Sequence, residues 1–159
     1  MEQFSRYLRQ NMESLNDANL IPVEKEIEHT RIYAEIEMAM FPNIHVDFRV
    51  MDADFMLPAL TTQPLVENAI RHGVRIREEG VVNVTTRRVP GGHEIVIQDN
   101  GVGFDTIKAR ADGGHIGIAN VRERLEKLCG GTLDIESTVG EGTRVVIHIP
   151  DAAGDMNGR

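Results

Sequence analysis

Apolar residues recur at helical spacing in two early stretches. Residues 3–18 place Phe4, Leu8, Met12 and Leu15 on one stripe. The run VEKEIEHTRIYAEIEMAMF, opening after Ile21 and Pro22, sets Val23, Ile27, Ala34 and Met38 along one side before Pro42 closes it. The period then changes. IHVDFRV, at 44–50, alternates and predicts a strand with Ile44, Val46, Phe48 and Val50 facing inward. LPALTTQPLVENAIRHG returns to a helical period, with Leu65, Val66, Ala69 and Ile70 toward the core and Gly73 as terminator. GVVNVTTRRV and GHEIVIQD are predicted strands joined through Pro90, Gly91 and Gly92. From Phe104 to Gly114 there is no periodicity, and the stretch reads as a loop. IGIANVRERLEKLCGG predicts a helix with Ile118, Val121, Leu125 and Leu128 inward and Gly130 and Gly131 as its cap. TLDIES and TRVVIHIP are the last strands, linked by TVGEG, and the tail DAAGDMNGR reads as disordered.

Five strands with hairpin links predict an α+β fold, a two-layer α/β sandwich. Its sheet is five-stranded, mixed and mostly antiparallel, with helices on one face. The GxGxxG and GxxxxGK[ST] fingerprints are absent, which sets aside the dinucleotide-binding and P-loop folds.

Composition narrows the partners. The chain has 159 residues, enough for one domain with a real core, and a formal net charge of −8 spread along its length. Such a surface does not suit nucleic acid, whose binding needs a basic face to displace counterions. A nucleotide remains compatible, because backbone amides, a few basic groups and a metal ion can hold it locally. The single cysteine, Cys129, excludes an internal disulfide, fits a reducing compartment and reads as a packed thiol at a helix end. No apolar run approaches a membrane span and no signal-peptide core is visible, so a soluble chain is expected.

Within PLVENAIRHG, Asn68, Arg71 and His72 fall at i, i+3 and i+4 and share one helix face. They present a neutral oxygen of the kind Mg²⁺ accepts, a phosphate clamp, and a ring able to lie beside a sugar or base. Downstream come three glycine-bearing elements: DNGVG at 99–103, GGHIGI at 113–118 and GEGT at 140–143. Taken singly, these satisfy a type I′ turn, a flexible linker into a helix, and a tight hairpin.

Taken in order, they resemble a known set. QPLVENAIRHG resembles the N box, DNGVG the first glycine box, GGHIGIANVRERL the second glycine box, and GEGTRVVI the closing GT element, of the nucleotide-binding domain shared by histidine kinases, DNA gyrase, Hsp90 and MutL. The wording is closest to LytS-like sensor histidine kinases, and EIEHTRIYAEIEMAMF also resembles that subfamily, so the likeness covers roughly residues 20–150. The resemblance implies a Bergerat-type fold binding ATP with Mg²⁺. It divides the chain into the end of an upstream dimerisation or linker helix (1–20), an ATP-binding catalytic domain (21–150) and a disordered tail (151–159). It also implies individual roles. Asp99 would accept a hydrogen bond from the adenine amino group, Gly101 and Gly103 would let backbone lie close to the base, and Thr143 would complete the adenine site through a water. Asn68 would coordinate Mg²⁺ bridging the phosphates, Arg71 would contact phosphate, and Asn68 and Arg71 together would carry the catalysis. His72 would sit near the ribose or adenine edge. Gly117 would open the helix that receives the phosphate tail, and Ile118 beside it would contact the nucleotide. Phe104 to His115 would be the ATP lid, mobile without ligand.

Two positions depart from the wider pattern. The hydrolytic relatives place a glutamate base one helical turn before the metal-binding Asn, where this chain has Pro64. Its loss favours transfer to a protein group over hydrolysis, since transfer rests on positioning and charge neutralisation. Glu67 is displaced by about 300° round an ideal helix from the absent base and does not replace it. His115 stands where many histidine kinases have a glycine, with a phosphate or base contact open to it.

The phosphoacceptor motif of the resembling subfamily does not occur in this chain. Of its six histidines only His29 has a superficially suitable setting, and a solvent-facing place on its helix is expected for it. The resemblance therefore implies a catalytic portion whose acceptor histidine lies on a missing upstream helix, with a cognate response regulator as partner. It implies a homodimer in the full-length protein, a cytoplasmic location, and membrane attachment only through a region absent here. A serine kinase of the anti-sigma type and a non-catalytic nucleotide-binding module are the competing readings.

Overall fold

The computed structural model describes residues 20–111 and 116–151; the predicted helix over 3–18, His115 and the tail from 152 onward lie outside the described residues. The elements are β1 (Leu20–Pro22), α1 (Val23–Met40), β2 (Ile44–Val50), β3 (Met56–Pro58), α2 (Thr62–Asn68) continued by a π-helical turn (Ala69–Val74), β4 (Gly80–Val89), β5 (Gly92–Asp99), α3 (Thr106–Ala111), α4 (Ile116–Cys129), β6 (Thr132–Thr138) and β7 (Gly142–Pro150).

The main sheet has the order β2-β4-β5-β7-β6. Its one parallel pair is β2 with β4; the other pairs are antiparallel. The expected mixed, mostly antiparallel five-stranded sheet is what forms. Burial alternates along the central strands, as a sheet covered on one face requires. On β5 the inward set is His93, Ile95, Ile97 and Asp99, facing Arg88, Thr86, Val84 and Val82 on β4 and Ile149, Ile147, Val145 and Thr143 on β7. Helices supply the other layer of one core: Val23, Ile27 and Ala34 from α1, Leu65, Val66, Ala69 and Ile70 from α2 and its extension, and Ile118, Val121 and Leu125 from α4. Among the described residues no helix is long and apolar enough to cross a membrane.

Several expectations are corrected. MLP forms a strand paired with LIP, so the helix begins only at Thr62 and Leu20 is extended rather than helical. Leu60, with φ of 58°, breaks the chain direction between Pro58 and the helix start. Val50 and Leu128 are exposed, since both lie at element ends beyond the reach of the opposing layer. His29 is 5% exposed, not solvent-facing, because α1 buries a polar flank as well as its apolar one. The aperiodic stretch after Phe104 contains α3, which is too short to show a period. Asp105 starts it, its Oδ1 accepting from the Ile107 and Lys108 amides at 3.0 Å each. Asp151 is not loose: it makes a two-pronged ion pair to Arg88, with both contacts at 2.8 Å.

Candidate functional site

A cleft opens between the α2 extension, the inner ends of β5 and β7, and the start of α4. Its wall includes Asn68, His72 and Gly73 from the helix, Asp99 from β5, Gly103 and Phe104 from the loop beyond, and Ile118 and Thr143.

The helical wall is shaped by its π turn. The Arg75 amide donates to the Ile70 carbonyl at 3.1 Å, one residue farther back than in an α-helix. Leu65, Asn68, Ala69, His72 and Gly73 reach the cleft at helical spacing, while Arg71 does not. Arg71 is instead ion-paired to Glu67 at 3.0 Å, with half of its side chain exposed. Pro64 falls in the first turn of α2, where its missing amide costs nothing.

The floor is Asp99, 8% exposed. Its Oδ1 accepts from the Gly101 amide at 2.8 Å. Burial pushes its carboxyl above the usual carboxylate range, against the opposing pull of the Gly101 and Thr143 backbone amides. Among the described residues no cation lies within ion-pairing distance of it. A buried acceptor left without a positive partner is a group arranged to receive a donor.

Glycines let three backbone segments converge beneath it. A Cβ on Gly73 would press on Asp99 Oδ1 at 3.2 Å, and one on Gly101 would run into the Gly73 backbone. The Val102 amide closes this contact by donating to the Gly73 carbonyl at 3.0 Å. Gly103, at φ of 64°, lies against the Thr138 carbonyl. Space at Gly101 is thus filled by protein backbone, whereas Gly103 borders the cleft. Gly117 is exposed and its missing side chain leaves open space at the first turn of α4. Ile118, by contrast, is buried against the cleft.

Three contributors carry no signal in the sequence. Arg77 Nη2 donates to both the Gly101 and Gly140 carbonyls at 3.0 Å, tying the 99–103 loop to the β6–β7 turn. Asn100 is turned away from the cleft, its side chain bridging the Val81 amide and the Glu79 carbonyl. Ser137 Oγ accepts from the Phe104 amide at 2.9 Å, donates to the Gly142 carbonyl at 3.1 Å and lies 2.8 Å from Thr143 Oγ1. One hydroxyl so joins the start of the predicted lid to the GT element.

Cys129 is a packed thiol, as expected. Its Sγ lies 3.3 Å from the Leu125 carbonyl, and burial pushes its thiol up.

Comparison with known proteins gives the family and the fold. Residues 56–153 match the family described as histidine kinase-, DNA gyrase B-, and HSP90-like ATPase. The chain is 32% identical to the sensor protein LytS of Oceanobacillus iheyensis, an alignment covering 93% of this chain and 28% of that protein. It is 34% identical to the sensor histidine kinase YpdA of Escherichia coli, covering 92% of this chain and 27% of that one. The chain thus spans little more than a quarter of either sensor. In fold it is similar to the histidine kinase domain of the blue-light activated histidine kinase of Erythrobacter litoralis, with a TM-score of 0.69, 21% identity and coverage of 98% and 76%. It is also similar to the histidine kinase ThkA solved in complex with its response regulator TrrA, with a TM-score of 0.62, 18% identity and coverage of 94% and 48%. The chain belongs to the family of histidine kinase-, DNA gyrase B- and HSP90-like ATPases, and within it is similar to LytS-like sensor histidine kinases.

Proposed function

We propose that this domain binds Mg·ATP in the cleft above Asp99 and passes the γ-phosphoryl group to a histidine imidazole on a dimerisation helix outside this chain. ADP is left behind, and a response-regulator aspartate takes the group from there. The observation that carries this reading is the buried, cation-free carboxylate of Asp99 at the floor of a glycine-shaped cleft.

Asp99 is the acceptor for the adenine amino group, and its fixed bond from the Gly101 amide orients it. Thr143, hydrogen-bonded to Ser137, holds a water against the base. Asn68 reaches the cleft at the opposite wall and offers its amide oxygen to the metal. That donor set suits Mg²⁺ held mainly by phosphate oxygens, since no three His, Cys, Asp or Glu side chains cluster among the described residues. The bound ion supplies neutralisation of the charge on the phosphate oxygens. His72 lines the rim beside the sugar, and the backbone at Gly117 and Ile118 receives the phosphate tail. Arg71 reaches phosphate by exchanging its Glu67 partner for it, an exposed i,i+4 pair worth only about 0.3–0.5 kcal/mol. His115 belongs to the lid. Pro64 supplies no base to activate water, and Glu67 is engaged with Arg71, so positioning and charge neutralisation favour transfer over hydrolysis.

On this reading residues 21–150 form the catalytic unit, and the full-length protein is a homodimer with this domain in the cytoplasm. ThkA, solved with TrrA, supports a response regulator as the partner. Calorimetric titration with Mg·ADP tests the binding step: wild type binds and Asp99→Ala does not, and equal binding by both would sink the reading. Labelled ATP with an added acceptor helix tests the transfer. Acid-labile label on histidine is expected, and acid-stable label on serine would replace this reading with the serine-kinase one.

A further inference from the structure

The N-terminus of α2 has no side-chain cap of its own. Its amides are met instead from α1, by Glu26, which is fully buried. Glu26 Oε1 accepts from the Leu60 amide at 3.0 Å. Oε2 accepts from the Thr61 and Thr62 amides at 2.8 and 2.7 Å, from Thr62 Oγ1 at 3.0 Å and from the Gln63 amide at 3.4 Å. Thr30, also on α1, adds a 2.6 Å contact between its hydroxyl and that of Thr62. The same loop is also held from α4, where Arg124 donates to the Leu60 carbonyl at 3.2 Å.

A carboxylate is costly to bury, and a local Ser, Thr or Asp cap would serve a surface helix as well. Drawn from α1, this cap does something a local one does not: it fixes the direction of α2 relative to the helix through which the chain enters the domain. Thr62 to Asn68 spans about 9 Å of helix, so a tilt of about 10° at the capped end moves Asn68 by about 1.5 Å. Misplacement of about 1 Å is enough to degrade a positioned group severely.

We infer that Glu26 is a positioning residue that, through α2, sets Asn68 for the metal–phosphate end of the nucleotide. The inference rests on the reading of Asn68 as a Mg²⁺ ligand. Asp99, at the base end, is anchored separately by β5 and the Gly101 amide. Loss of Glu26 therefore acts on one end of the ligand and not the other.

The test is titration of ATP with excess Mg²⁺ and again with chelator, for wild type, Glu26→Gln and Thr62→Val. In wild type, Mg²⁺ raises the affinity. In Glu26→Gln that gain shrinks about tenfold while metal-free affinity stays within about twofold; Thr62→Val, which removes one donor and keeps the shape, loses about two- to threefold of the gain. Leu133→Ala, a core truncation on β6, lowers the melting temperature yet keeps the full gain, separating positioning from general loosening. Equal losses with and without Mg²⁺, or an unchanged gain in Glu26→Gln, overturn the inference and leave the nucleotide reading standing. If Glu26→Gln does not fold, the Thr62→Val result decides in the same terms. A wild type that binds ATP under neither condition overturns the nucleotide reading, and this inference with it.

Discussion

Strand β5 carries a buried polar residue at each end of the same face, His93 where it starts and Asp99 where it stops, with Ile95 and Ile97 sealed between them. At the His93 end every group is answered from within. His93 Nδ1 meets Asp52 Oδ2 at 2.6 Å, its Nε2 lies 2.9 Å from Arg88 Nη1, Phe55 stacks on the ring at 4.4 Å, and Arg88 grips Asp151. Burial pulls Asp52 up, but the His93 hydrogen bond and the Asp54 amide outweigh it and hold the carboxyl below its usual range. At the Asp99 end burial wins, and the carboxyl sits above that range. A network that satisfies itself holds the sheet, the loop after β2 and Asp151 together. A carboxylate left unneutralised gives up stability and gains it back only from a ligand. One strand thus separates an end answered from within from an end left open to the proposed ligand.

The comparison predicts substitutions with opposite consequences. Asp99→Asn removes the charged acceptor and lowers affinity for Mg·ADP by about 30- to 100-fold, the worth of a buried charge-assisted hydrogen bond. The same variant melts a few degrees higher at neutral pH. The folded-state pKa of Asp99 is raised, so its destabilising charge is absent below the unfolded value and fully present above the folded one. The advantage of Asn should therefore grow as pH rises through that window and vanish in acid. Calorimetry and melts at several pH values check both halves, and a lower melting temperature at pH 7 would contradict the account of the floor.

Gly101→Ala erases the separation. Its Cβ meets the Gly73 backbone, so helix and loop must part, costing about 2–3 kcal/mol of stability and weakening binding in the same protein. His93→Ala restores it with the sign reversed: a loss of about 1–3 kcal/mol, with Mg·ADP affinity within twofold of wild type. The pH response reverses too. The depressed carboxyl of Asp52 gives stability above the unfolded carboxylate pKa and loses it as pH falls through the folded value, so Asp52→Asn should flatten the acid limb of the stability curve that Asp99→Asn leaves intact.

Much of this division was legible in the chain. Period-two and helical stretches located the sheet and the three long helices, since those elements each bury one continuous stripe. The N box, the glycine elements and the GT element marked the cleft through Asn68, His72, Asp99, Gly103 and Thr143. What escaped depended on distant partners or small local geometry. Glu26 caps a helix more than thirty residues downstream, and no window along the sequence links the two. Arg71, three residues after Asn68, falls on the flank beside the wall rather than in it, and pairs there with Glu67. The His93 network unites strands β4 and β5, the loop after β2 and Asp151, groups that alternation leaves unconnected. His29 looked like a surface residue because helical patterning counts apolar stripes and does not foresee a buried polar flank.

The smallest expected effect tests whether the binding end reaches beyond the cleft wall. Ser137 borders neither Asp99 nor the helical wall, yet its hydroxyl accepts from the Phe104 amide and contacts Thr143. Ser137→Ala removes the hydroxyl that accepts from that amide at the start of the proposed lid, and frees the Thr143 hydroxyl to turn. Because Ser137 is only half-buried, water replaces part of what is lost, and a neutral hydrogen bond is worth about 1 kcal/mol at most here. Affinity for Mg·ADP should therefore fall by about two- to fivefold, with a melting temperature within a degree or so of wild type. Ser137→Thr, which keeps the hydroxyl, should recover most of the loss. Should alanine lower stability and leave affinity alone, Ser137 belongs with His93 among the groups that only hold the sheet together, and the binding end stops at Thr143.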